Sequence, residues 1–318
     1  MIYRPQDYVD NIHLHLERLA DENLTGITIG IEAIDKYLDP LQKTDLTVML
    51  ARPSMGKSVI AAHYARRAAL IYKEKSNDYA PPVFISAEMA IEEISIRNLS
   101  NYTNIDSRII RTGKSNNDWD FLHSKTDEMI EEYPIIYIGT SIYTRNIKKR
   151  RLSIQYVRQC IDEICNEYGN SPVMVELDYA QRFTLDGTHK DRRQEISEIT
   201  EQSKDIAQDY QTHVFLCSQA GREVDQKPFP VPDMSSGKET GNLEETPDVV
   251  LGGFRPSRVF PVGKIIPKTK DNIICEENLY FLSILKQRNG NCGGAWIRMD
   301  ARISELSDYE KDYELTNE

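Results

Sequence analysis

Apolar residues gather in short unbroken runs, separated by longer stretches in which they recur at helical spacing. The runs are LTVML (46–50), VFISA (83–87), IIYIG (135–139), VMVEL (173–177), VFLCS (214–218) and DVVLGGF (248–254). Helical stretches stand between them, such as VIAAHYARRAAL after Lys57 and the segment that begins at Ile91. A strand that is apolar on both faces must be covered on both faces. The pattern therefore predicts an α/β fold, with a mostly parallel central sheet flanked by helices. Ligands of such sheets collect beyond the carboxyl ends of the strands, so chemistry is expected just after the apolar runs.

Outside these runs the pattern weakens. Within residues 3–20, Val9, Ile12, Leu14, Leu16 and Leu19 only partly follow helical spacing, which predicts a short amphipathic helix ahead of the main body. Residues 221–247 and 255–278 are polar and read as long loops. The last residues are acidic and read as a tail. The expected organisation is a linker-like helix at 1–23, one α/β domain at 24–302 and an acidic tail at 303–318.

At 318 residues with 40% hydrophobic composition, the chain can bury a large core without disulfides or metal. Five cysteines form no C-x-x-C pair, so reduced, structural thiols are expected. No apolar run approaches the roughly 18 residues of a membrane span. The first twenty residues carry acids, Arg and His where a signal peptide would be apolar. These features predict a soluble, cytoplasmic protein with no membrane partner. A net charge of −11 argues against nucleic-acid binding over the whole surface. It leaves room for local contact, because basic clusters stand at Lys148–Arg151 and Lys264–Lys270. Either cluster reads equally as a solvated loop or helix end.

The sharpest local signal is ARPSMGKSV (51–59), directly after LTVML and directly before an apolar helical run. This is the strand, loop and helix context of a P-loop. Amides of the loop and helix N-terminus, Ser54, Met55, Gly56, Lys57, Ser58 and Val59, would present partial positive charge to phosphate oxygens. Lys57 adds a full charge at the β- and γ-phosphates, and Ser58 offers a hydroxyl to Mg²⁺. Ala51 stands where the general pattern has its first Gly. The bland alternative is a chance GKS in a helix-opening turn.

A metal-holding acid is expected at the end of an apolar strand. VMVELDYAQ (173–181) supplies Asp178, with Glu176 as a rival two positions earlier. Hydrolysis also needs a base near the γ-phosphate, and Glu88 in VFISAEMA is placed for it. A first-turn acid of the following helix is the structural alternative for Glu88.

These segments, in this order, resemble the ATPase domain of DnaB-type replicative DNA helicases, a RecA-like P-loop NTPase fold. ARPSMGKS, FISAEMAIEEISIRNLS, RTGKSNNDWDFL, VELDYAQRF, QEISEITEQSKDIA, VFLCSQAGREVDQ, KETGNLEETPDVVL and LKQRNGNCGG follow consecutive family segments over roughly residues 24–299. The resemblance implies that Lys57 and Ser58 bind phosphate and Mg²⁺, Glu88 activates water, Asp178 is the Walker B acid and Gln219 senses the γ-phosphate. It places Arg97 near that site. Lys286 and Arg288 match a basic pair that reaches into the ATP site of the next subunit, where positive charge would stabilise the transition state. Lys238, Glu239 and Gly241 match a DNA-contacting loop, with Lys238 in place of an arginine.

The implied protein is an ATP-dependent DNA helicase that uses ATP and Mg²⁺, forms a homo-oligomer, a hexamer in the family, and moves on single-stranded DNA. Primase or a helicase loader would be further partners. Set against the resemblance, three departures are expected: no N-terminal collar domain, extra residues near 255–278, and Glu176 where an aliphatic is usual. A rival reading is a nucleotide-gated assembly or regulatory protein that partners a helicase without unwinding. The hydrolytic set Glu88, Gln219 and Lys286/Arg288 favours the motor over that switch. A P-loop small-molecule kinase would have no use for KQRNG.

Overall fold

The computed structural model describes His13 and residues 26–113, 119–143, 152–185, 191–237, 245–267, 269, 272–288 and 290–309. The linker-like helix expected at 1–23 lies outside these residues except for His13. The basic cluster at Lys148–Arg151 and the loop residues Lys238, Glu239 and Gly241 also lie outside them.

All six apolar runs form strands: β1 (Leu46–Ala51), β2 (Val83–Ala90), β3 (Ile136–Thr140), β4 (Met174–Asp178), β5 (His213–Gln219) and β6 (Val249–Phe254). They pair in parallel, in the spatial order β3, β2, β4, β5, β1, β6. Every residue of β1 is buried, as a central strand covered on both faces requires. Alternate residues serve opposite layers. Met49, Phe84, Phe215, Cys217 and Leu251 face one core with helix α2 (Lys57–Glu74). Val48, Leu50, Val175, Leu177 and Leu216 face the other. There they meet α6 (Ile154–Tyr168) and α7 (Arg192–Asp209) through Ile154, Val157, Ile161, Ile196 and Ile199.

Helix α2 packs closely because Ala61, Ala62, Ala65, Ala68 and Ala69 are strong helix formers with little bulk. Ser153 and Asp191 cap the first turns of α6 and α7 by accepting from Tyr156 N and Arg193 N. The smaller helices are α1 (Glu32–Asp35), α3 (Ile91–Thr103), α4 (Ser107–Thr112) and α5 (Trp119–Glu132).

Beyond β6 the sheet changes direction. Strands β7 (Leu279–Gln287), β8 (Gly293–Asp300) and β9 (Glu305–Asp308) add antiparallel to its edge. The chain expected to become a tail at residue 303 instead enters β9, with Leu306 only 6% exposed. A run of acids hid one inward-facing leucine.

The two stretches expected as loops are partly ordered as well. Residues 222–226 and 234–237 form short 3₁₀ turns, and Asp225 binds the guanidinium of Arg52. Residues 255–278 bury Ile266, Ile273 and Cys275 beside Leu279 in a small satellite cluster. The five cysteines are free, and among the described residues no helix is long and apolar enough to cross a membrane.

A buried histidine, His213, and a half-buried one, His63, set an expected pH response. His213 Nδ1 lies 2.9 Å from the Gln42 carbonyl, so Nδ1 donates, and the buried Nε2 has no hydrogen-bond partner among the described residues. Burial lowers the pKa of His213 to about 4, and that of His63 also to about 4. The unfolded chain binds these protons near the ordinary value of 6.5, so the stability from keeping both rings neutral is full above that pH. It is lost as pH falls toward 4. Asp45 acts in the opposite sense below pH 6, because burial, then Asp248, raises its pKa to about 6 and the folded state holds that proton more tightly. Asp178 and Glu176, whose pKa values burial also raises, act in the same sense as Asp45, so the histidine contribution is read by comparison: between pH 7 and pH 5 the wild type should gain less, or lose more, melting temperature than His213→Asn. An equal change in the two calorimetric series would disprove the assignment.

Candidate functional site

The carboxyl edge of the parallel strands carries a cavity of about 750 Å³. Its floor is the loop after β1. Arg52 anchors that loop by donating to both carboxylate oxygens of Asp225 at 2.8–3.1 Å and to the Ala220 carbonyl at 2.9 Å. Ser54 and Gly56 both take positive φ, 63° and 91°. A Cβ at Gly56 would stand 2.6 Å from Met299 Sδ, so glycine lets the loop turn tightly against β8 before α2 begins. The amino end of α2 therefore opens directly onto the cavity, with Lys57, Ser58 and Val59 in its wall.

Lys57 donates from Nζ to the Ala51 carbonyl at 3.0 Å and the Arg52 carbonyl at 3.4 Å. Burial lowers its pKa, opposed by nearby acids that include Asp178 and Glu88. Ser58 Oγ donates to Asp178 Oδ2 at 2.9 Å, bringing the end of β4 to the first turn of α2. Burial raises the Asp178 pKa, and the Ser58 hydrogen bond and the charges of Lys57 and Arg97 oppose it. Glu176, the rival acid, does not line the cavity. It is 2% exposed in the core, and neither carboxylate oxygen has a hydrogen-bond partner among the described residues. Burial, then the charge of Asp178, pushes its pKa well above the ordinary range.

Glu88 stands at the cavity with its side chain 48% exposed, and Arg182 Nη2 lies 3.9 Å from Glu88 Oε1. Gln219 ends β5 at the cavity, and Gln181 fixes its backbone. The Gln181 side chain accepts from Gln219 N at 3.1 Å and donates to Gln219 O at 3.3 Å and Ser218 Oγ at 3.1 Å. Arg97, from α3, also faces the cavity. Burial lowers its pKa, opposed by Asp178 and Glu93.

The Met55 side chain lies in the hydrophobic core and not in the cavity wall, an arrangement that bears on its side chain and not on the amide expected to face phosphate. Three cations were not anticipated. Arg111 enters from α4, and Arg255 and Arg258 enter from the turn after β6. Their stretches lack a local motif of known chemistry, and only the packing brings them to the cavity.

Lys286 and Arg288 lie elsewhere. Strand β7 runs antiparallel to β6, with Phe281 beside Phe254 and Gln287 beside Val249. The basic pair thus sits at the amino edge of the parallel strands, across the length of β6 from the cavity. At a rise of about 3.3 Å per residue that length is about 17 Å, far beyond one side chain's reach.

The model of the DnaB-like helicase C terminal domain family matches residues 26–308. The chain belongs to this family. It is 29% identical to replicative DNA helicase DnaB of Pasteurella multocida over 314 residues, covering 96% of this chain and 61% of that protein. It is also 29% identical to replicative DNA helicase DnaC of Bacillus subtilis over 307 residues, covering 96% of this chain and 61% of that protein. The chain thus spans about three fifths of the length of these curated relatives.

Among solved structures, the ATPase domain of G40P superposes with a TM-score of 0.79 at 21% identity, covering 98% of this chain and all of that one (100%). A DnaB-like replicative helicase studied with its primase interactions gives 0.78 at 22% identity, covering 96% of this chain and 69% of that one. Both establish the RecA-like fold of the DnaB-like ATPase domain. The antiparallel addition of β7 to β9 belongs to that shared fold, which the apolar runs alone did not reveal.

Proposed function

We propose that this DnaB-like domain is the motor of a replicative DNA helicase, hydrolysing ATP between subunits to move along single-stranded DNA and separate the duplex. The observation that carries the reading is the division of the catalytic set between two opposite edges of one sheet. Lys57, Ser58, Glu88, Asp178 and Gln219 lie at the cavity, and Lys286 and Arg288 lie at the far edge. A homo-oligomer that sets the far edge of one subunit against the cavity of the next would complete both sites, and the family suggests a hexamer.

The cavity fits a nucleoside triphosphate. The loop held open by Gly56, the helix amino end and the cations Lys57, Arg97, Arg111, Arg255 and Arg258 suit a polyanion. Ser58 and Asp178 offer adjacent hard oxygens, the donor set that Mg²⁺ prefers, and the ion would supply charge neutralisation at the phosphate oxygens. Lys57 would exchange its two carbonyl acceptors for phosphate oxygens. Glu88 would accept a proton from the attacking water, and Arg182 beside it would hold the carboxylate in place. Gln219, with its backbone clamped by Gln181, would sense the terminal phosphate. Arg288 of the neighbouring subunit would stabilise charge that develops as the bond breaks.

Lys238, Glu239 and Gly241 are the proposed DNA contacts, where backbone amides and one base per subunit can follow a phosphate chain without reading sequence. Primase or a loader would join as further partners. The assembly-protein reading has no observation that favours it over the complete hydrolytic set.

A forked duplex incubated with the chain, ATP and Mg²⁺ tests the proposal. Strand displacement is expected, together with ATP hydrolysis that rises when single-stranded DNA is added. ATP-dependent assembly with no displacement would support the switch instead.

A further inference from the structure

We infer that Asp248 is a positioning residue for Arg288, fixing the guanidinium so that its terminal nitrogens face the neighbouring subunit. The inference rests on the proposed role of Arg288 across a subunit interface.

Asp248 occupies the position before β6, with its side chain 5% exposed at the amino edge of the sheet. Two donors and one further cation converge on its carboxylate. Leu46 N, at the start of β1, donates to Oδ2 at 2.8 Å, and Lys204 Nζ, from α7, donates to Oδ2 at 2.6 Å. Arg288 Nε approaches Oδ1 at 2.9 Å. The first two contacts bind one oxygen and hold the carboxylate rigidly to β1 and α7. Lys204 Nζ is itself tied to the Thr44 carbonyl at 2.6 Å.

The second oxygen is thereby left in a fixed direction for Arg288. A guanidinium is planar, and with Nε the nitrogen nearest the carboxylate the ion pair engages its inner edge and leaves the terminal fork for another partner. Arg288 is 55% exposed, as an outward fork requires. A flexible arginine on a strand end would otherwise sample many rotamers, and a catalytic cation displaced by about 1 Å can lose much of its effect. The same short segment holds the other member of the basic pair. Lys286 Nζ donates to the Pro247 carbonyl at 2.6 Å. Asp248 and Pro247 thus support the two cations side by side at one rim.

The test measures steady-state ATP hydrolysis by the full chain with saturating single-stranded DNA. Asp248→Asn, which keeps the shape but removes the charge, is expected to lower kcat about tenfold or more with KM for ATP unchanged. Asp248→Glu keeps the charge that Leu46 N and Lys204 need but moves it by one methylene, so it should show the same split if Asp248→Asn does not fold. Lys204→Gln should lower kcat by less than Asp248→Asn does, because one of the two contacts that hold the carboxylate is lost while Leu46 N and the ion pair with Arg288 remain. In a double-substitution cycle, Asp248→Asn added to Arg288→Ala should cause no further loss.

Wild-type kcat in a folded Asp248 variant, an additive loss in the cycle, an equal loss in Lys204→Gln, or failure of both Asp248 variants to fold would each overturn the inference. Arg288→Ala alone separates it from the reading beneath it. If that variant hydrolyses ATP normally, the cross-subunit role itself is wrong. If it is inactive while Asp248→Asn is normal, only the positioning role fails.

Discussion

Arg288→Ala is expected to lower DNA-stimulated ATP hydrolysis by about 10³-fold, within the range found for arginines that stabilise phosphoryl transfer across an interface. The pocket of the same chain should bind nucleotide as before, because Arg288 sits at the opposite edge of the sheet. Folding should survive, since the ion pair it loses is with Asp248, which keeps Leu46 N and Lys204 as donors. Arg288→Lys should rescue poorly, because a compact ammonium lacks the planar fork that can bind Asp248 and a phosphate at once. Mixing gives the decisive readout. An assembly of Arg288→Ala and Lys57→Ala chains contains some interfaces with an intact pocket on one side and an intact arginine on the other, so two inactive proteins should regain hydrolysis together. If Arg288→Ala retains wild-type turnover, or the mixture stays inactive, the shared-site proposal fails.

The second large effect concerns Lys57, whose ammonium is buried against two backbone carbonyls. Burial lowers its pKa, so the charged form carries a desolvation cost that a bound anion would offset. Lys57→Ala should reduce hydrolysis by about 10²–10³-fold, the usual loss when one preorganised donor to developing charge is removed. Removing the poorly solvated charge should leave the melting temperature of the nucleotide-free protein equal or slightly higher. Added ATP should stabilise the wild type by mass action, and this gain should largely disappear in the variant. Thermal scans with and without ATP check both statements. A variant that melts much earlier would make Lys57 structural, and one that keeps its turnover would dismiss its phosphate role.

Much of this was legible in the sequence because strand burial and phosphate chemistry both leave local marks. Strands buried on both faces, such as β1, β4, β5 and β6, must be written as continuous apolar runs, and ARPSMGKSV needs its residues to be adjacent. Asp178 could be preferred over Glu176 only as an expectation. The structure separates them, because Ser58 hydrogen-bonds the first and the core encloses the second. Strands β7 to β9 were harder to read. LYFLSILKQ follows a polar insertion, GGAWIRMD opens on glycines, and ELSD resembles a tail until β8 pairs with it. Arg111 and Arg258 illustrate the same limit, since nothing within a few residues of either tells that the fold will turn it toward the P-loop.

The outermost strand of the sheet also ties the two extremities of the domain together. Asp308, at the end of β9, accepts from Glu32 N at 3.2 Å and Ala33 N at 2.9 Å in the first turn of α1. Chain arriving ahead of Gly26 and chain departing after Tyr309 therefore share one anchorage, remote in sequence yet joined by a single carboxylate. A partner that tugged on either extremity would load the same knot and shift α1 and β9 as a unit. The margin of the sheet thus gives the domain a common handle.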